Sequence, residues 1–139
     1  RMADLSITAA NVLPVDGVGK NTATGTSAGI ITAGEPIYLA SANSNKVTKC
    51  EADDTAAAAA CVGIAINDAA ASQSVTYLKS GNLDINAVAT KGAVYVVSAA
   101  AGKIAPVADL VSTNFVTILG VASSTTRINI KLNATGVAV

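Results

Sequence analysis

The sequence predicts a mainly β domain: a compact β-sandwich or β-barrel built from two pseudo-repeated units, with one short helix and an N-terminal arm. Three observations lead there. First, the 139 residues are 51% hydrophobic but only 3% aromatic and 13% charged, so Ala, Val, Ile and Leu carry the apolar content. That composition leaves too few Glu and Lys residues for long solvent-facing helices. Second, short apolar runs alternate with polar neighbours and are separated by Gly, Asn and Ser, the period-two pattern of half-buried strands. Third, the pattern occurs twice. An offset of 57 residues, the step from Tyr38 to Tyr95, also sets Ser41 on Ser98, Ala42 on Ala99, Lys46 on Lys103, Gly63 on Gly120 and Ala65 on Ala122. The unlike pairs Ile37/Val94, Leu39/Val96, Val47/Ile104, Val62/Leu119 and Ile64/Val121 all stay aliphatic.

In chain order, residues 1–29 read as an N-terminal arm and flexible loop, with an edge strand followed by an ordinary loop as the open alternative. Leu5, Ile7, Val12, Leu13 and Val15 supply a few apolar spots, and residues 16–29 are then rich in Gly, Thr, Ser and Asn. Composition of that kind buries little and favours loop. Residues 30–139 form a single β-domain with pseudo-repeats at about 30–81 and 88–136. Each unit opens with a strand (36–40; 93–97), turns, continues in a second strand (46–50; 103–107) and reaches a third through Gly63 or Gly120. Asn45 and Gly102 occupy equivalent turn places and are residue types that tolerate positive φ. Gly63 and Gly120 stand inside apolar strand patterns, where glycine marks a bulge or a close backbone approach. Val75 and Tyr77 in one unit, and Ile128, Ile130 and Leu132 in the other, alternate as fourth strands. Leu83, Ile85 and Ala87 make a further strand linking the units. The one helical signal is Thr55 followed by five alanines, enough for a turn or two; the equivalent residues 112–117 are poorer helix formers. Two copies are too few for a solenoid, so the units must cover each other. A chain of this length buries about two-thirds of its unfolded surface, which suffices for a core.

Function classes narrow quickly. The chain has no His, the commonest general base and the favoured ligand of many metals. Glu51, Asp53, Asp54 and Asp68 fall in or beside turns and read as solvated loop acids. They match neither a catalytic carboxylate pair nor the alternating oxygen ligands of a calcium loop. No catalytic residue, metal site or cofactor is expected. Nine basic and nine acidic residues cancel and the basic ones are scattered, so no nucleic-acid footprint is visible. No apolar stretch approaches the roughly 20 residues of a membrane span, and the first residues lack a secretory signal pattern. Cys50 and Cys61 stand eleven residues apart, outside redox and zinc spacings. At the 57-residue offset they answer to Val107 and Ile118, so they read as free, buried core thiols, with a disulfide between them as the open alternative. Tyr38 and Tyr95 read as paired core or interface aromatics rather than sugar platforms.

The segments AGEPIYL (33–39), VGIAINDA (62–69), VTY (75–77) and GAVYV (92–96) resemble the capsid cement, or head decoration, proteins of tailed bacteriophages. The likeness covers residues 30–132. It implies a non-enzymatic β-domain on the outer capsid surface, bound to the major capsid protein and forming a homo-oligomer, with a trimer favoured. It also implies an arm that adds to the shell by strand pairing or ordering on contact, which makes Leu5, Ile7, Val12, Leu13 and Val15 the candidate capsid contacts. The alternative is a phage fibre or adhesin-type module recognising a cell-surface glycan, and a third class is a tube-forming or pilus-like subunit.

Overall fold

Small branched residues alternating with polar ones produce strands almost throughout the computed structural model, which describes residues 7, 12–14, 21–40, 44–52, 56–85, 89–107 and 114–138. In chain order the strands are β1 (Leu13–Pro14), β2 (Thr22–Thr26), β3 (Pro36–Ala40), β4 (Lys46–Lys49), β5 (Gly63–Ala65), β6 (Ser74–Leu78), β7 (Ser80–Asp84), β8 (Val94–Val97), β9 (Ile104–Pro106), β10 (Phe115–Ala122) and β11 (Arg127–Ala138). The alanine run gives the one short helix, α1 (Ala56–Ala59), between β4 and β5. Its expected cap, Thr55, lies outside the described residues. Asn45 and Gly102 take φ of 58° and 73° in the turns that follow β3 and β8, as their residue types require.

The duplication is visible in the topology. One sheet has the order β2-β6-β5-β3-β4, and the other has β1-β7-β11-β10-β8-β9. Apart from β1, the second order repeats the first strand for strand. The pairs within both sheets are antiparallel. The sheets share one core, in which Cys50, Ile64 and Leu78 from the first meet Leu83, Tyr95, Leu119, Ile128 and Ile130 from the second. Tyr95 is fully enclosed there, and Tyr38, its counterpart, packs against the same cluster from the opposite sheet.

The first sheet also buries its outer face. Ile37, Val47, Ala65, Val75 and Tyr77 point away from the shared core and form a second cluster with Ile31 and Ala69. This cluster is closed by the reciprocal bonds Ile31 N–H to Ala69 O (2.8 Å) and Ala69 N–H to Ile31 O (2.9 Å). The sheet curls until its edges touch at one parallel bridge, Ser27 with Val47, where the Ala28 N–H donates to Val47 O at 2.9 Å. It stops short of a closed barrel, so the sandwich is the correct member of the expected pair. Backbone bonds also tie sheet to sheet: Ala52 N–H to Ser98 O (2.9 Å), Gly102 N–H to Cys50 O (2.9 Å) and Phe115 N–H to Ala52 O (2.9 Å).

Three features depart from the sequence-based expectation. Residues 22–26, expected within the flexible loop, form the edge strand β2, paired with β6 from Thr22↔Leu78 to Thr26↔Ser74. The first unit therefore starts near residue 22, and the boundary at 29/30 falls inside it. Burial alternates along Thr-Ala-Thr-Gly-Thr, with Ala23 packed on the second cluster and Thr24 exposed; that period was hidden by the small size of the residues. Likewise the strand expected to link the units through Leu83, Ile85 and Ala87 is β7, which holds Leu83 and ends before Ile85, Ala87 lying outside the described residues; it is the edge partner of β11 in the second sheet and the counterpart of β2.

The third departure is a slip in register. At the gap-free offset Ile64 answers to Val121, yet Ile64 is 0% exposed in the shared core and Val121 is 43% exposed. The ladders on both sides of β10 shift between Ile118 and Gly120. Against β8 the additional residue is Leu119, which is buried in the core; against β11 the additional residue lies on β11. Because side chains alternate, a one-residue slip transfers every following side chain to the other face. Gly120 permits it: a Cβ there would lie 2.0 Å from Asn129 O. Gly63 is equally close-packed, 2.6 Å from Tyr77 Cδ2 and 2.7 Å from Leu78 O, so both glycines sit where backbones approach.

The slip makes sequence-equivalent residues energetically unlike. Ile64→Ala should lose about 2–5 kcal/mol, as expected for a large-to-small change in a core, and Val121→Ala less than about 0.5 kcal/mol, as at an exposed site. Urea unfolding of both variants measures this, and equal losses would mean that the two units share one register.

Candidate interaction surface

Of the acidic side chains expected to be solvated, Asp68 instead does structural work, as does Glu35, while Glu51 is half-buried. Glu35 Oε1 accepts the Thr32 N–H at 2.7 Å, and its Oε2 pairs with Lys49 Nζ at 3.3 Å. Asp68 Oδ1 accepts the Ala33 N–H at 2.9 Å. Together these carboxylates hold residues 31–35 against the first sheet. Asp53 and Asp54 lie outside the described residues. Among the described residues no three His, Cys, Asp or Glu side chains converge on a point where a metal ion could bind, and no helix is long and apolar enough to cross a membrane.

Of the five arm residues expected at a capsid contact, the described ones lie on the chain's own domain. Val12 is buried in the shared core and Ile7 packs against it. Methyl groups of both fill the space beside Gly34, where a Cβ would meet Ile7 Cγ2 at 2.8 Å and Val12 Cγ2 at 3.1 Å. Leu13 belongs to β1, which adds to the second sheet through Leu13↔Asp84 and Pro14↔Leu83. Leu5 and Val15 fall outside the described residues. The aromatics also turn inward. Tyr95 is buried with its hydroxyl accepting the Thr90 N–H at 2.8 Å, Tyr77 is buried in the second cluster, and Tyr38 and Phe115 are half-buried.

The most exposed large apolar side chain among the described residues is Ile30, at 72%. It follows from local geometry. Ile31 must face inward to complete the second cluster, and successive side chains in extended backbone point to opposite sides, so its neighbour faces solvent. Ile30 forms a ridge between two shallow grooves of about 340 Å³ each. Tyr38, Thr48 and Ala58 line one groove, and Thr32, Asp68 and Gln73 the other. Repeat matching sets Ile30 on Val88 after a one-residue shift, which does not mark it as exposed. The available signal was the adjacent Ile30-Ile31 pair at the end of a polar segment, where alternation forces one of two large aliphatic side chains outward.

No protein-family model and no curated protein matches the chain.

The two isoleucines should separate cleanly. Ile31→Ala is expected to lose about 2–5 kcal/mol, and Ile30→Ser to shift stability by less than about 0.5 kcal/mol. Denaturant midpoints of the two variants check this, and a large loss at Ile30 would mean that the ridge is part of the core.

Proposed function

We propose that this chain is a structural, non-enzymatic virion protein that binds the outside of a bacteriophage head and stabilises it as a decoration, or cement, protein, with the major capsid protein as its partner. One observation carries the proposal. The segments resembling that family, 33–39, 62–69, 75–77 and 92–96, include most of β3, all of β5, and most of β6 and β8. The likeness thus follows the frame of both sheets rather than a surface loop. The charge balance is compatible. Zero formal net charge lets many copies sit side by side without accumulating repulsion across a shell.

Ile30 is the contact proposed for the shell. A large aliphatic residue held in water by the rigid segment behind it needs no reordering to bind, which keeps the entropic cost of association low. One such contact is weak. Copies clustered as a homo-oligomer, a trimer being favoured, multiply it through effective concentration.

The test is co-sedimentation of the purified chain with expanded heads of the phage that encodes it. Bound heads should survive heating that disrupts bare heads. Ile30→Asp should weaken binding about tenfold or more, the cost of pressing a charge into an apolar contact, while leaving the fold intact. Failure of the native chain to bind such heads would sink the proposal, and a specific hit on a glycan array would redirect it to an adhesin role.

A further inference from the structure

We propose that two copies of this chain exchange units, the first unit of each covering the second unit of the other, with Lys79 as the hinge. In the single chain, β6 ends at Leu78 in the first sheet and β7 begins at Ser80 in the second. One residue therefore carries the backbone from one layer of the sandwich to the other. Lys79 is exposed, and its N–H donates to Asn21 O at 2.8 Å, a bond to the residue that precedes β2 in the first unit.

The chain divides at this point. Among the described residues, β2 to β6 all lie in the first sheet and β7 to β11 in the second, with no strand of either unit inserted into the other's sheet. The units meet through the shared core, where Ile64 and Leu78 face Leu83, Leu119 and Ile128, and through backbone ties such as Ala52 N–H to Ser98 O and Phe115 N–H to Ala52 O. None of these contacts specifies that both units come from one chain. No disulfide specifies it either, since Cys50 and Cys61 both belong to the first unit and are free. β1 is the one described strand that crosses back, pairing with β7. Val12 beside it docks next to Gly34 of the first unit, so β1 travels with that unit and pairs with whichever β7 the unit covers.

The balance between the two forms is set at the link. Both make the same contacts away from the hinge, which is what makes exchange a low-cost route to a dimer. Leu78 and Ser80 can stand at most about 7 Å apart along the chain, less than the roughly 10 Å between packed sheets. A unit can therefore cover its own neighbour only where the sheets converge and Lys79 turns between them, whereas an exchanged pair relieves that requirement. A short flexible link holds two modules at an effective concentration of about 1 mM, and one that barely spans its sites lowers that value. Reciprocal exchange leaves no unit uncovered and closes at two copies. It uses the interior interface alone, so it stands apart from the shell contact proposed at Ile30.

The full-length chain is unfolded in urea and refolded at about 1 µM and at about 1 mM, on either side of the effective concentration of the link, and its mass is read by light scattering on a sizing column. The expected products are a monomer at the lower concentration and a dimer as the main species at the higher. Six Gly and Ser residues inserted after Lys79 should lower the dimer fraction about threefold or more, because a longer link lets each unit reach its own neighbour; thermal melting checks that this variant folds. Dimers of isotopically light and heavy chain, mixed while folded, should stay unmixed for hours by native mass spectrometry and scramble after joint unfolding and refolding, because exchange requires the shared core to open. A monomer at both concentrations, a dimer fraction unmoved by the insertion, or dimers that scramble on simple mixing would each overturn the proposal.

Discussion

An antiparallel five-stranded unit with one apolar face cannot remove that face from water alone, and the whole molecule follows from two such units covering each other. Face-to-face packing of sheets is one of few ways to bury such surfaces. Here the inner faces meet in a single cluster that includes Ile64 and Leu78 on one side and Tyr95, Leu119 and Ile128 on the other. The repeated strand order shows that both halves reach that interface through the same sequence of hairpins and crossings. The remaining contacts, from the docked Val12 to the Ala52 backbone bonds, act at the margins of that interface.

Mutual covering does not require identical halves, and these have diverged on opposite faces. The first sheet turned its outer face apolar and covered it with residues around Ile31, producing a sheet buried on both sides. The second exposes its outer face along β10 and β11, at Val121, Asn129 and Lys131, while Val96 and Ala105 on β8 and β9 are buried there. Its bulge at Leu119, opposite β8, sets the facing of the strand that follows. Without that additional residue Val121 would turn inward and Gly120 outward, replacing the packing now made by Ala122 with a larger side chain.

What was legible in the sequence was what repeats or has a steric requirement. The strands around Tyr38 and Tyr95, the turns at Asn45 and Gly102, the alanine helix and the close approaches at Gly63 and Gly120 each carry a local signature. Two classes of feature were not legible. The strand β2 is built from Thr, Ala and Gly, whose alternation has too little hydrophobic contrast to show until Tyr77 and Val47 stand beside it. The register slip is a tertiary fact: residues 118–122 read equally well in either register, and only pairing with both neighbours decides which face each takes. The arm's few apolar residues leave open whether it orders on a partner or on its own domain, and Ile7 and Val12 dock on the domain because Gly34 leaves room for their methyl groups.

The features that distinguish the first unit from the second lie close together. The ridge at Ile30, the groove lined by Tyr38 and Ala58, and Glu51 beside it lie together on the first sheet. A duplicated frame makes such specialisation tolerable, because each sheet contributes a full inner face to the shared core whatever its outer surface carries. Holding residues 30–35 rigid takes two carboxylates, Glu35 and Asp68, and the second cluster behind Ile31. That reinforcement fixes an aliphatic side chain in water, where it gains nothing for the isolated chain. Rigid presentation of an exposed apolar residue lowers the ordering cost of association, which is why the contact proposed for the shell is placed on the first unit, at Ile30.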